Sequence, residues 1–217
     1  MNALLDPIRQ IAALGGPVVL LLLAVSIVTL AVILYKIWQF SAAGVGRHTA
    51  LGEAVAAWDA GERAGARAAL ARSQSYLAPV VDMAFTSGPK DVQRLAAEAE
   101  TRFADLETGF RLLDSVAQLA PLLGLFGTVL GMIEAFQSLQ EAGAQVDPSI
   151  LAGGIWVALL TTAVGLAVAM PTALVLSWLE GRMDAERVTA ERALAAILHP
   201  RGDRGAATVP AAAAQDA

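Results

Sequence analysis

Residues 119–136, LAPLLGLFGTVLGMIEAF, are the stretch whose reading decides the fold. The run is apolar enough to enter a bilayer, yet Gly124, Thr128, Gly131 and Ala135 recur along it at helical spacing, with Ala120 and Pro121 a turn earlier. Small residues and a hydroxyl on one side of an apolar helix point to close helix packing or to the wall of a narrow pore. Glu134 stands beside the stripe, and a carboxylate there needs a reason.

A second stripe matches the first. Residues 148–179 carry no charge, and Gly154, Ala158, Thr161, Thr162, Gly165, Ala169 and Thr172 cluster on one side of their helical wheel. Counted from opposite ends of consecutive antiparallel helices, Thr128 and Thr162 both fall near mid-bilayer. Two readings fit: each hydroxyl bonds its own helix while the glycines let helices touch, or the stripes line a polar groove for another helix or a file of water. Glu134, about 9 Å nearer the outer face than Thr128, reads either as an interfacial carboxylate that snorkels or pairs, or as an acid at a pore mouth.

The rest of the chain fits a membrane protein. Of 217 residues 56% are hydrophobic and 16% are charged, below the roughly 25% charge of soluble domains, and the apolar residues gather in three blocks. The first block has no charge from Gln10 to Tyr35. It is too long for a signal-peptide core and lacks a net basic flank, so it reads as a retained span with Tyr35 and Trp38 at the interface. The expected fold is an all-α integral membrane protein with long helical extensions. Its segments are an outer amino terminus (1–10), span one (11–35), a helical domain (36–114), span two (115–139), an outer loop (140–149), span three (150–179), a charged helix (180–198) and a disordered tail (199–217). Arg9 alone of the fifteen Lys and Arg precedes span one, and none lies between spans two and three. The positive-inside rule therefore predicts an outer amino terminus and a cytoplasmic carboxyl terminus.

Within 36–114, helical patterning runs around 50–72 and again from Asp91, with SYLAPVVDMAFTSGPKD (75–91) as the break and Ser87 or Asp91 as candidate caps. The later helix carries Leu95, Ala99, Arg102, Phe103 and Leu106. It is read as part of a soluble hairpin joined to span two, or as one long helix continuing into it; continuity of the pattern favours the second. In 180–198, Arg182/Glu186 and Arg187/Glu191 stand at i,i+4, a spacing worth a few tenths of a kcal/mol per pair. His48 and His199 read as plain surface residues.

No catalytic motif competes. The chain has no cysteine and no phosphate loop, nucleophile elbow or zinc-protease signature. Ser26, Ser115 and Ser177 have no His or Lys partner within the spans, so no enzyme activity, cofactor or metal is expected. A net charge of −5 without a basic block argues against nucleic acid as a partner.

LAPLLGLFGTVLGMIEAF followed by GGIWVALLTTAVGLAVAMP resembles the MotA/TolQ/ExbB proton-channel family, specifically its ExbB/TolQ branch. The three-span topology agrees with that branch; MotA proteins carry a fourth span. The resemblance implies a bacterial inner-membrane subunit that forms a homo-oligomeric ring, usually a pentamer, with spans two and three around a pore occupied by single-span ExbD/TolR-like helices. An aspartate on the partner would carry the proton past threonines that match Thr128 and Thr162, with Thr161 and Glu134 as further proton-path residues. Gly124, Gly131, Ala135, Gly154, Ala158, Gly165 and Ala169 would pack the pore and the partner helix. The output would be mechanical work on a TonB/TolA-type protein. One departure stands out: the branch usually has a glutamate where this chain has Val157. A non-conducting scaffold or a divergent ion-channel paralogue is the alternative.

Overall fold

In a computed structural model, which describes residues 2–141 and 148–200, every regular element among the described residues is helical. The order is α1 (Asn2–Ala42), α2 (Thr49–Asp59), α3 (Arg63–Ala71), α4 (Ala78–Thr86), a 3-10 turn (Pro89–Asp91), α5 (Val92–Glu107), α6 (Phe110–Glu141) and α7 (Pro148–Leu198). Three stretches are long and apolar enough to cross a membrane, Gly16–Ala42, Phe110–Glu141 and Leu151–Leu198. The protein is an all-α membrane protein. The expected outer loop lies mostly, and the tail almost entirely, outside the described residues.

The chain divides into two units, Met1–Tyr35 with Gly109–Leu179, and Lys36–Thr108 with Glu180–Ala217. In the first, α1, α6 and α7 meet around Leu22, Ala120 and Ala169, flanked by Val18, Val116, Leu123, Val164 and Val168. Large apolar side chains such as Ile27, Leu122, Phe126, Leu159 and Leu174 remain exposed, as a bilayer-facing surface requires. Within α1 the helix breaks at Gly16, with φ 65° and ψ −168°. Only glycine adopts that conformation readily, and Pro17, which follows, disfavours a helical residue before it.

The second unit corrects several expectations. The supposed break at 75–91 contains α4, whose Val80, Val81, Ala84 and Phe85 are buried; Pro79 sits in its first turn, where a missing N–H costs nothing. Asp91 holds the cap position of α5, but its carboxylate accepts the N–H of Gly88 at 3.0 Å instead. The single long helix entering span two is overturned as well. Thr108 leaves helical geometry and Gly109 turns left-handed at φ 94°, so α5 and α6 are separate helices.

The core of this unit stacks Trp58 on Phe85 with ring centres 4.1 Å apart. The Trp58 indole N–H donates to the Ile197 carbonyl at 3.2 Å, tying α2 to the end of α7. Lys36 Nζ, buried, donates to the Leu106 carbonyl near the end of α5 at 2.9 Å and to Gln39, the position where a helix favours a cation.

Glu186 is the polar centre of the unit and is 2% exposed. The Gly46 N–H donates to it at 2.8 Å, the Tyr76 hydroxyl at 2.9 Å, and His48 Nε2 lies 2.8 Å from both oxygens. His48 Nδ1 faces Ser75 Oγ at 3.2 Å. His48 is thus a half-buried network member, whereas His199 is exposed. The two expected helical pairs also rearrange. Glu186 turns to these three donors, and Arg187 reaches Glu107 at 2.7 Å and Glu100 at 3.6 Å. A buried acceptor with three fixed donors outcompetes a solvent-exposed pairing along one helix.

Burial pushes the Glu186 carboxyl upward, but the hydrogen bonds from His48 and Tyr76, the His48 charge and the Gly46 N–H together hold it below its ordinary value of 4.5. Burial and the Glu186 charge push the Tyr76 hydroxyl well above its ordinary range, so it remains a donor at neutral pH. With the folded carboxyl depressed, its stabilisation is complete above about pH 4.5 and is lost as pH falls through the folded value. Glu186→Ala strands three donors and should cost about 3 kcal/mol. Thermal melts of the detergent-solubilised protein between pH 3 and 8 should show a lower melting temperature and a weaker acid dependence than the parent.

Candidate functional site

The two small-residue stripes meet each other. A side-chain carbon built on Gly124 would lie 2.9 Å from the Thr161 carbonyl oxygen and 3.0 Å from the Thr162 α-carbon. One built on Gly165 would lie 2.6 Å from the Ala120 carbonyl oxygen, and one on Gly127 would lie 2.8 Å from the Thr161 hydroxyl. Gly131 faces Ala158, and Gly154 faces Ala135. The contacts run in opposite directions along α6 and α7, so the helices are antiparallel and touch backbone to backbone. Ala120, Ala135, Ala158 and Ala169 are buried, so the stripes are occupied within one chain.

Thr161, 2% exposed, fills the seam. Its hydroxyl lies 2.7 Å from its own Ala158 carbonyl and 3.2 Å from the Gly124 carbonyl across the seam. Interhelical hydroxyl bonds of this kind average about 0.6 kcal/mol in membranes. Thr172, also buried, bonds the Val168 carbonyl at 2.7 Å. The sequence grouped Thr161 and Thr162 together; the structure separates them into a packing residue and a half-buried one.

Thr128 is half-buried too, and its hydroxyl donates to the Leu125 carbonyl of its own helix at 2.6 Å. Thr128 follows the contact residue Gly127, and Thr162 follows the contact residue Thr161. In an antiparallel pair, one step forward from facing residues turns both side chains, about 100° each, to the same side of the seam. Glu134 and Val157 instead precede the contact residues Ala135 and Ala158, and the same geometry turns them to the opposite side. Glu134 is exposed and Val157 half-buried. The structure therefore brings Thr128 and Thr162 to one side and leaves Glu134 on the other.

Among the described residues no group of three or more His, Asp or Glu could hold a metal ion. A groove of about 320 Å³ runs between α2 and the end of α7, with Leu51, Val55 and Ala193 in its walls and His48 and Arg192 among its polar residues.

Residues 63–192, more than half of the chain, match the model of the MotA/TolQ/ExbB proton channel family. The chain is 47% identical over 64 residues to the biopolymer transport protein exbB1 of Vibrio cholerae, covering 30% of this chain and 28% of that protein. It is 35% identical over 132 residues to the putative biopolymer transport protein ExbB homolog of Methanothermobacter thermautotrophicus, covering 58% and 46%. It is 36% identical over 107 residues to the Tol-Pal system protein TolQ of Haemophilus influenzae, covering 49% and 46%. The chain thus covers less than half the length of each of these relatives.

The seam gives a prediction of opposite signs. Gly124→Ala must push α6 from α7 and should destabilise by about 1–3 kcal/mol. Gly153, in α7, has open space where a side chain would go, so Gly153→Ala should be neutral or stabilising by up to about 1 kcal/mol. Melting temperatures of the two variants in detergent should move in opposite directions or differ clearly.

Proposed function

Because the chain belongs to the MotA/TolQ/ExbB proton channel family, with relatives named ExbB and TolQ, we propose that it is the multi-span subunit of a proton-driven motor in the bacterial inner membrane. Several copies, by the family pattern five, form a ring around a single-span ExbD/TolR-like partner. The amino terminus faces the periplasm, and the second unit faces the cytoplasm. The motor's output is mechanical work on a TonB/TolA-type protein, for outer-membrane import or envelope maintenance.

The observation that carries this reading is the placement of Thr128 and Thr162 on one side of the α6–α7 seam. A partner carboxylate inside a membrane is costly when charged and much less so when neutral. Threonine hydroxyls both donate and accept, so they can meet either protonation state. Each proton crossing 100 mV supplies about 2.3 kcal/mol, enough to bias a step between two packed arrangements. Glu134, on the other side of the seam, is the acid available where Val157 supplies none.

A second reading, a non-conducting scaffold, draws support from the way the small residues are consumed within one chain. Proton flux separates the two. In vesicles containing the subunit and its partner, Thr162→Val should abolish partner-dependent proton uptake while the ring remains assembled. Undiminished flux in that variant counts against the motor. Val157→Glu tests the departure: unchanged flux would show that an acid at this position is dispensable here.

A further inference from the structure

The buried hydroxyl of Thr161 stands between two backbone carbonyls that belong to different helices. The Ala158 carbonyl of α7 lies 2.7 Å away, and the Gly124 carbonyl of α6 lies 3.2 Å away. A hydroxyl has one proton to give, so the two carbonyls share one donor across the seam. The side chain is seated against Gly127, where a carbon built on the glycine would fall 2.8 Å from the Thr161 β-carbon and 3.1 Å from its methyl. Only a residue without a side chain at 127 leaves Thr161 room to reach across. The two other buried threonines among the described residues behave differently. Thr29 and Thr172 each bond the carbonyl four residues back in their own helix, at 2.8 and 2.7 Å.

Which carbonyls these are matters. In an α-helix the N–H of each residue bonds the carbonyl four residues earlier, and both positions lie inside the helices α6 and α7. The Gly124 carbonyl therefore receives the Thr128 N–H, and the Ala158 carbonyl receives the Thr162 N–H. The Thr161 hydroxyl thus joins the two peptide groups on which the half-buried threonines Thr128 and Thr162 are hung. Thr128 is held further by the bond from its own hydroxyl to the Leu125 carbonyl at 2.6 Å. Sliding or rotating one helix against the other strains the bond to Gly124 and moves Thr128 relative to Thr162 in the same motion.

We propose that Thr161 is a positioning residue: by bridging the Gly124 and Ala158 carbonyls, it sets the level and the facing at which Thr128 and Thr162 present their hydroxyls to a partner carboxylate. This role rests on the motor reading, and it takes Thr161 out of the proton path itself. A proton passes only between groups within about 2.6–3.2 Å of each other, so two threonines on separate helices need a fixed spacing to serve one carboxylate. A single bond across the seam is weak, and the contact area over the glycines carries the association of the helices. Loss of the hydroxyl should therefore disturb placement more than stability.

The test uses the full-length subunit with its partner in vesicles and reads proton uptake with a pH-sensitive dye. Thr161→Val keeps the branched shape and removes the hydroxyl, whereas Thr161→Ser keeps the hydroxyl and removes a methyl. Thr161→Val should lower partner-dependent uptake by about tenfold, with the ring assembled and the melting temperature close to that of the parent. Thr161→Ser should retain most of the uptake. Thr172→Val, which removes a buried hydroxyl bonded within α7, should match the parent. In bilayers, the solid-state NMR signal of an isotope-labelled Gly124 carbonyl should shift upfield in Thr161→Val and not in Thr161→Ser, which reports the bridge whether or not protons move. Parent-level uptake in Thr161→Val, an equal loss in Thr161→Ser, or a loss accompanied by disassembly of the ring overturns the positioning role. If Thr162→Val leaves uptake intact, the motor reading falls and the positioning role falls with it. Loss in Thr162→Val beside parent-level uptake in Thr161→Val overturns the positioning role alone.

Discussion

The approach of α6 to α7 over bare backbone is the constraint on which the membrane unit depends. Apolar side chains gain little by leaving lipid for one another, so helices in a bilayer associate through contact area and hydrogen bonds. Gly124, Gly127 and Gly165 supply the contact area by having no side chain to hold the helices apart. Thr161 supplies a bond across the seam to Gly124. Once these residues face inward, helical geometry leaves their neighbours no choice of direction. The threonines beside the seam and the glutamate beside it are consequences of one packing decision.

The second unit solves the opposite problem. Here the organising group is a carboxylate withdrawn from solvent. Glu186 tolerates burial because three donors from two separate connections converge on it. That convergence joins the segment after α1, the start of α2 and the segment before α4 to α7. Removing an acid on the protein surface would change little; removing this one uncouples four pieces of chain.

What was legible in the sequence follows the same division. The three spans could be read because a bilayer imposes length and apolarity residue by residue, and both stripes could be read because close packing selects small residues at helical spacing. The sequence could not say that the stripes faced each other, since a stripe shows that something comes close without naming it. Gly109 and Gly16 were readable in principle: a glycine beside a change of composition, or before a proline, is a break signal that apolar continuity conceals. The segment 75–91 looked like a turn because of its Pro and Gly, yet four buried side chains make its middle a helix. The Glu186 network was not legible at all, because its donors lie more than a hundred residues away in sequence.

The Val157 departure looks different once the sides of the seam are known. As a list of positions, Val157 and Glu134 are unrelated residues on different helices. In the antiparallel pair both precede a contact residue, and both turn to the side away from Thr128 and Thr162. Because Gly131 faces Ala158 and Ala135 is close to Gly154, Glu134 and Val157 also fall within about one turn of each other along the pair. A glutamate at 157 would then stand beside an existing carboxylate, on a side of the seam that already carries one. If a carboxylate is needed on this side of the seam, rather than at one residue number, Glu134 supplies it.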